Sequence, residues 1–394
     1  MSIPDEPPVP DQAPGAPHPR ETSRLYGQDE AEAAFLTAFA SDRLHHGWLL
    51  TGPRGVGKAT LAWRIARFLL ATPPRQEAGL FGASPKPDTL DIPNDHPVMA
   101  RTLALSDPGL FLVRRGWAGS TESDRDKARK EGRRSAEIRV HEIRQLARFL
   151  NLSSSDGGRR VVIVDCADEM NGAAANALLK MLEEPPARTT MLLVSHQPSG
   201  LLPTVRSRCR VLRLAPLGAA DMQAALAATG AALPDTADAV EQLAALANGS
   251  VGAALRLLTL DGLAVYRELV AILESLPRLD RQRALALANA AAQRGASDRF
   301  ELLLTLVDTV LVRLARTGVA GAAPNPEACP GEAQILQRLA ATPAMGRAWA
   351  DIAATITARA RHGQAVNLDP AALVLDTVFK MQETAAQARP SPIP

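Results

Sequence analysis

A glycine-rich turn between a short apolar run and a helical pattern is the part of this sequence best suited to chemistry. Glycines stand at Gly52, Gly55 and Gly57, after the short run Trp48-Leu49-Leu50-Thr51, and Lys58 follows directly. Glycines let a backbone wrap closely around an anion, the next helix offers unpaired N-terminal N–H groups, and a lysine here reaches terminal phosphates. The spacing therefore predicts a phosphate-binding P-loop, with a strand before it and a helix after it. A glycine-rich turn without a ligand is the alternative.

The pattern departs from that of an ATP-hydrolysing site one residue after the lysine. A hydroxyl residue normally follows the lysine and holds Mg²⁺, whereas this chain has Ala59 there. Thr60 comes next, but it lies about 100° further around the helix and is a poor substitute. We therefore expect a degenerate nucleotide site that includes Ala59 and Thr60, able to take ATP or ADP but holding Mg²⁺ badly.

A second apolar run ends in an acid. Residues 161–164 are all apolar and precede Asp165, which describes a buried parallel strand whose carboxylate emerges beside the P-loop. In an active ATPase the following residue is a glutamate that polarises the attacking water, but here it is Cys166. We interpret Asp168 and Glu169 as surface residues beyond the strand, leaving open that one of them replaces the missing base.

Two other candidate sites are weaker. His45 and His46 are adjacent but have no matching Asp, Glu or Cys cluster nearby, so we predict no metal site there. Ser195 and His196 are adjacent on a predicted strand and point to opposite faces, and the chain has no G-x-S-x-G motif, which argues against a hydrolase. The three cysteines are far apart and form no C-x-x-C pair, so they predict neither a zinc knuckle nor a disulfide framework. They are Cys166, Cys209 and Cys329.

Composition indicates a helical protein of more than one domain. The chain has 394 residues, of which 46% are hydrophobic and only 4% aromatic, so its cores must consist mainly of alanine and leucine. The formal charge of +2 says little about partners. Because the sequence has no apolar run of about 18 residues and no signal-peptide segment, we expect a cytoplasmic protein without a membrane partner.

Three segments have the composition of irregular structure. Residues 1–21 contain seven prolines and predict a disordered tail. Residues 71–108 are rich in Pro, Asp and Gly and predict an irregular insertion. Residues 114–136 are highly charged, and the stretch from 114 to 144 has ten Lys or Arg against six Asp or Glu. Because the signs are mixed, we favour a solvated loop over a DNA-contacting patch.

Several strings together resemble a known family. They are Gly27-Gln28, the His45-His46-Gly47 lead into the first strand, the P-loop, NALLKMLEEPP at residues 176–186 and SRC at residues 207–209. With these strings the chain resembles the clamp-loader branch of the AAA+ ATPases. The resemblance covers about residues 22–260, and the NALLK-x-LEEPP and SRC strings are much more specific than the P-loop alone.

The resemblance implies a fold of three parts. An α/β, RecA-like AAA+ P-loop domain is expected over 22–213, a small helical lid over 214–262 and an all-α collar domain over 263–383, before a disordered tail at 384–394. The pattern of the residues agrees, since 214–217 reads as a hinge. Beyond it the apolar positions 300, 303, 304, 307, 311 and 314 predict a long amphipathic helix.

Departures from the family pattern indicate which type of subunit this is. An ATP-hydrolysing member has Thr, Glu and a lid Arg at positions that here are Ala59, Cys166 and Gly252. Relatives also commonly carry a four-cysteine zinc module after the P-loop helix, and this chain has no cysteine between 61 and 165, so no zinc is expected. The resemblance therefore implies a non-hydrolysing subunit with Gly52, Gly55, Gly57, Lys58, Ala59, Thr60 and Asp165 as a degenerate site.

One functional residue of the family remains. The SRC arginine, Arg208 here, is expected to enter the ATP site of a neighbouring subunit and neutralise charge on the γ-phosphate. The implied partners are ATPase subunits and a delta subunit in a five-membered ring, with the sliding clamp and primer-template DNA bound through that complex. The alternatives left open are a subunit that hydrolyses ATP itself and a nucleotide-sensing switch without turnover.

Overall fold

The computed structural model describes residues 12, 15–22, 24–41, 44–72, 87–151, 158–293, 297–365 and 368–387. The predicted tails and insertion fall partly outside these ranges. The chain forms two compact units: Met1–Thr229 with Ser250–Gly252, and Gly230–Gly249 with Ala253–Pro394. The three domain boundaries drawn from the sequence stay predictions.

A five-stranded parallel sheet is the centre of the first unit. Its order is β2-β3-β4-β1-β5, and each neighbouring pair is parallel. The three inner strands are buried almost throughout, which explains why they read as continuous apolar runs in the sequence. The strands are β1 (Gly47–Thr51), β2 (Leu110–Val113), β3 (Arg160–Val164), β4 (Thr189–Ser195) and β5 (Arg210–Arg213).

Helices between the strands complete this unit. Leucines and isoleucines of α5 and α6 pack against β3 and β4 in one core that includes Ile143, Leu146, Leu178, Val162 and Leu193. The predicted α/β architecture with a P-loop after β1 is confirmed. The helices are α1 (Asp29–Ala40), α2 (Lys58–Ala71), α3 (Pro97–Leu103), α4 (Glu122–Lys130), α5 (Val140–Asn151), α6 (Gly172–Glu183), α7 (Pro203–Arg206) and α8 (Ala219–Ala228).

Part of the predicted disordered tail is packed on α2. His18 is buried and its ring meets the edge of Trp63, with the ring centroids 6.2 Å apart. The buried guanidinium of Arg67 donates to the carbonyls of Arg20 and Thr22, both at 2.9 Å. Because a buried guanidinium must be hydrogen-bonded, these two bonds hold residues 20–22 against the domain.

Two segments predicted as irregular contain helices. In the insertion, α3 begins at Pro97 with the His96 ring accepting from the Val98 N–H. In the charged segment, Thr121 and Asp124 form a capping box at the start of α4. A Thr-x-x-Asp box is readable in a sequence. The prediction of a loop was wrong for residues 122–130, because the capping box starts a helix there despite the high charge.

Every described element of the second unit is a helix. The long amphipathic helix is confirmed as α13, which buries Phe300, Leu303, Val307, Leu311 and Leu314. It packs against α11, α14 and α15, while α12 packs against α16. The helices are α9 (Ala237–Ala247), α10 (Val251–Thr259), α11 (Gly262–Ser275), α12 (Arg281–Ala291), α13 (Ser297–Ala320), α14 (Glu332–Leu339), α15 (Pro343–Ala365) and α16 (Pro370–Gln387). Among the described helices, none is long and apolar enough to cross a membrane.

A buried ion pair joins three segments of this helical unit. The Glu332 carboxylate accepts from Arg313 Nε at 2.7 Å, from Arg313 Nη2 at 2.9 Å, from the Tyr266 hydroxyl and from the Ala328 N–H. Burial and the adjacent carboxylate raise the pKa of Tyr266, so this phenol stays a donor. A buried charge with four donors is fully compensated, and the network anchors the chain before α14 onto α13.

The α13–α15 contact depends on two glycines, which generates a stability prediction. A Cβ placed on Gly318 would lie 2.5 Å from the Cα of Gly346. We expect Gly318→Ala to lower the free energy of unfolding by about 1–3 kcal/mol, because two backbones must separate, although alanine favours helices. Urea unfolding followed by circular dichroism measures this change.

The control is Gly172→Ala in α6, where a Cβ meets nothing within 4 Å. That variant should be stabilised by about 0.4–1 kcal/mol. Equal effects of the two substitutions would show that the close approach of α13 and α15 does not limit stability.

Candidate functional site

The P-loop turn is closed around glycines that no other residue can replace. Gly52 and Gly55 have φ of 143° and 79°, in the left-handed region. A Cβ on Gly52 would lie 2.4 Å from the Leu214 carbonyl oxygen, and one on Gly55 would lie 2.4 Å from Ser250 Oγ. The turn is thus tight for two reasons, its own backbone and the chain packed behind it.

Lys58 is the first residue of α2 and is held inside the loop. Its ammonium donates to the carbonyl of Gly52 at 2.7 Å and to that of Pro53. The residue is only 3% exposed. Burial lowers the pKa of Lys58 to about 8, against the opposing influence of Asp168 and other nearby acids.

Residues Ser250 and Gly252 pack directly on the outside of the P-loop. Ser250 Oγ donates to the Arg54 carbonyl at 2.8 Å, and the Gly252 N–H donates to the Gly55 carbonyl at 3.2 Å. The resemblance predicts a lid arginine at position 252 in an ATP-hydrolysing member, and this chain has Gly252 there. In this chain that position makes a backbone contact to the loop and offers no guanidinium to a nucleotide.

Gln28 fastens the P-loop to the chain that leaves the sheet. Its buried side-chain amide donates to the Val56 carbonyl at 3.3 Å and to the Ala215 carbonyl at 2.8 Å, and it accepts from the Ala215 N–H at 3.1 Å. Buried backbone groups of this kind need such partners. In the sequence, Gln28 is notable only as part of the family resemblance, because nothing local indicates a partner 187 residues away.

Asp165 and Cys166 follow β3 on the other side of Lys58. Cys166 has φ of 53°, and its thiol donates to Asp165 Oδ2 at 3.5 Å and lies 3.4 Å from His196 Nε2. Burial, together with Asp165, raises the pKa of the Cys166 thiol, while burial lowers that of His196 to about 4. Both groups are therefore neutral at pH 7, and position 166 has no general base.

The two acids considered as replacement bases are engaged by the protein and are half-buried, not on the surface as predicted. Asp168 Oδ1 accepts from the His196 N–H at 3.0 Å and Oδ2 from the Gln197 N–H at 3.1 Å. Glu169 pairs with Arg115 at 3.1 Å. Asp168 therefore accepts one backbone N–H group on each oxygen, and Glu169 forms an ion pair with Arg115.

The adjacent histidines directly precede β1, and the His45 ring contacts the backbone. Their rings stack with centroids 4.4 Å apart, and His45 Nδ1 lies 2.8 Å from the Gly47 carbonyl oxygen. Burial lowers the pKa of His46. Within the described ranges, no three His, Cys, Asp or Glu side chains are arranged to hold a metal ion.

Arg208 lies at the amino-terminal end of the parallel strands, whereas the P-loop lies at their carboxyl-terminal end. It precedes β5, whereas the P-loop follows β1, and these strands are parallel with Trp48 opposite Arg210 and Thr51 opposite Arg213. The three-residue rise along β1 from Trp48 to Thr51 alone separates the two ends of the strands by about 10 Å. The guanidinium is partly exposed and cannot serve the P-loop of its own chain.

The depressed pKa of Lys58 predicts a pH-dependent stability. Between pH 8 and the ordinary lysine value of 10.5, the unfolded chain holds a proton on this amine that the folded chain has lost. Stability rises with pH wherever the unfolded state binds more protons. We therefore expect the wild type to gain stability relative to Lys58→Met over this window, in urea unfolding series from pH 6 to 10.5.

Below pH 7 both states keep the proton, so the difference between the two proteins should be constant there, which is an internal control. A difference that stays constant up to pH 10.5 would show that the Lys58 amine is solvated like an exposed lysine.

These features define a class of protein. A parallel sheet of order β2-β3-β4-β1-β5, with a P-loop after β1 and an acid after β3, is a RecA-like P-loop domain of the AAA+ class, here followed by helices. Ala59, Cys166 and Gly252 stand at the three positions where the resemblance predicts a hydroxyl, a base and a lid arginine in an ATP-hydrolysing member.

Comparison with known proteins identifies the family. A family model described as DNA polymerase III, delta subunit, matches residues 27–218. The DNA polymerase III subunit delta' of Pseudomonas aeruginosa is 38% identical over 243 residues, which are 61% of this chain and 63% of that protein. The subunit delta' of Escherichia coli is 30% identical over 279 residues, 71% of this chain and 73% of that protein. The chain belongs to the family of DNA polymerase III delta' subunits.

The match to the Pseudomonas aeruginosa relative spans less than two thirds of that protein's length. Among solved structures, a DNA polymerase III gamma-subunit-related protein of Thermotoga maritima is similar with a TM-score of 0.44 and 16% identity, over 89% of this chain and 99% of that one. The assignment of the fold rests on the strand order and not on this distant likeness.

Proposed function

We propose that this chain is a non-hydrolysing subunit of the DNA polymerase III clamp loader, which completes a ring of subunits and lends Arg208 to the ATP site of a neighbour. The observation that carries the proposal is the placement of Arg208. Arg208 is partly exposed and lies at the amino-terminal end of the strands, away from its own P-loop. The P-loop site of this chain has no hydroxyl at position 59 and no acid at position 166.

Three independent losses support the absence of ATP hydrolysis by this chain. Ala59 offers no hydroxyl to Mg²⁺, the Cys166 thiol is protonated at pH 7, and Gly252 contacts the P-loop through its backbone. ATP or ADP could still occupy the loop if Lys58 exchanged its carbonyl partners for phosphate. Such binding would be structural, since Mg²⁺ and the attacking water lack their usual partners.

The proposed role of Arg208 is electrostatic. A guanidinium placed against a γ-phosphate neutralises the charge that develops as the phosphoryl group leaves, and in well-studied GTPases such an arginine is worth on the order of 10³-fold or more. Because Arg208 cannot reach its own P-loop, this effect requires a second subunit. Acting in trans also makes hydrolysis depend on correct assembly.

The family supplies the proposed partners. Proteins named DNA polymerase III subunit gamma and subunit tau match this chain at 26% and 24% identity. We infer that ATPase subunits of this kind and a delta subunit are its neighbours in a five-membered ring. The sliding clamp and primer-template DNA would then be bound through the assembled complex, with no metal at this chain's own site.

A substitution in one subunit tests the trans role. In a reconstituted clamp loader with clamp and primed DNA, we expect Arg208→Ala in this chain alone to lower steady-state ATP turnover by on the order of 10²–10³-fold at one site, with assembly unchanged by size-exclusion chromatography. The guanidinium would be missing at that site only, so turnover at other sites would set the remaining rate.

Arg206→Ala is the matched control, because Arg206 is an exposed arginine two residues away at the end of α7. It should leave turnover unchanged. Unchanged turnover in Arg208→Ala as well would remove the trans role and leave a structural subunit.

The isolated chain tests the absence of hydrolysis. We expect its ATP turnover to be no higher than that of Lys58→Ala, because Ala59 offers no hydroxyl to Mg²⁺ and the protonated Cys166 thiol at position 166 supplies no base. A sensitive phosphate-release assay on purified protein measures this. Turnover that disappears in Lys58→Ala would contradict the proposal and support an ATPase with an unconventional acid.

A further inference from the structure

The arginine proposed to act in trans is already bound within its own chain. Arg208 Nη2 lies 2.8 Å from Glu183 Oε1, and Nη1 donates to the Thr204 carbonyl at 3.0 Å. Both terminal nitrogens of the guanidinium thus have an acceptor from the same subunit. To place these nitrogens on a phosphate, the side chain must leave the carboxylate.

Glu183 stands where a helix disfavours an acid. It is the last residue of α6, and Glu184 caps that helix. The carboxyl end of a helix carries partial negative charge, so cations are favoured there and carboxylates are not. Arg208 approaches from a different segment, between α7 and β5, and compensates this charge. The acid therefore gains nothing from α6 itself, and its partner is the arginine.

The Arg208–Glu183 ion pair is weak enough for Arg208 to exchange the carboxylate for a phosphate. The two side chains are 37% and 43% exposed, and ion pairs at such exposure shift a population by only about 1.5- to 5-fold. A terminal phosphate carries more charge than a carboxylate and accepts two parallel N–H bonds from an arginine. Glu183 can hold Arg208 when no other anion is near, and a triphosphate can take it away.

We propose that Glu183 is a positioning residue that holds Arg208 in its own chain and releases it to the terminal phosphate of a nucleotide bound by the neighbouring subunit. This inference rests on the proposed trans role of Arg208. When part of the Arg208 population is held by Glu183, the apparent affinity of the neighbouring site for ATP is reduced in proportion to the fraction of Arg208 that is free. Glu183 thereby sets the ATP concentration at which the neighbouring site becomes active, without taking part in the chemistry.

The test varies ATP concentration in a reconstituted clamp loader with clamp and primed DNA. We expect Glu183→Gln to lower the KM for ATP by about 1.5- to 5-fold with kcat unchanged, because the amide holds the guanidinium less well. The equilibrium affinity for a non-hydrolysable ATP analogue should rise by the same factor. Glu184→Gln is the matched control, since it removes the same charge from an exposed neighbour, and it should change neither quantity.

A double variant shows whether the effect passes through the arginine. In an Arg208→Ala background, Glu183→Gln should no longer change the KM. An unchanged KM in Glu183→Gln, a fall in kcat, or an equal fall in KM without Arg208 would each overturn the proposal.

The two proposals fail in different ways. If Arg208→Ala leaves turnover unchanged, the trans role is wrong and the holding role goes with it. If Arg208→Ala lowers turnover while Glu183→Gln behaves like Glu184→Gln, only the holding role is wrong.

Discussion

The parallel pairing of β1 with β5 is the constraint on which the functional geometry depends. Because both strands run in the same direction, the chain leaves β1 at the carboxyl-terminal end of the strands and enters β5 at their amino-terminal end. The P-loop lies at the first of these ends and Arg208 at the second. A single subunit of this fold therefore does not bring Arg208 to its own phosphate site, and the role proposed for Arg208 requires a neighbouring subunit.

Around the P-loop, the polar groups have partners within the chain. The Lys58 ammonium binds loop carbonyls, Gly252 binds the loop through its backbone, and the Asp168 carboxylate accepts backbone N–H groups of the chain after β4. Gln28 adds a link from the loop to the chain after β5. The outcome is a turn that keeps the shape of a nucleotide site and uses its polar groups to hold the domain together.

Some of these features were readable from local residue types, and others were not. Glycine spacing located the P-loop, and the SRC string located Arg208, because backbone conformation and a short motif are local properties. The helix α4 was also readable, through Thr121 and Asp124, but the charge of its surroundings led to the prediction of a loop. The surface prediction for Asp168 and Glu169 was wrong because their partners, His196, Gln197 and Arg115, come from distant parts of the chain.

The sequence by itself determined the elements and the chemistry that they lack. Apolar runs determined the buried strands, helical periodicity determined α13, and the identities of Ala59 and Cys166 hold whatever the fold. Only the tertiary structure decided what the polar groups do, because a carboxylate or an ammonium is defined by its partners, and these partners lie far away in the chain. It placed Glu183 on Arg208, Ser250 on the P-loop and Glu332 on Arg313. Hydrogen bonds and ion pairs act over a few ångströms of space, and sequence separation does not limit them.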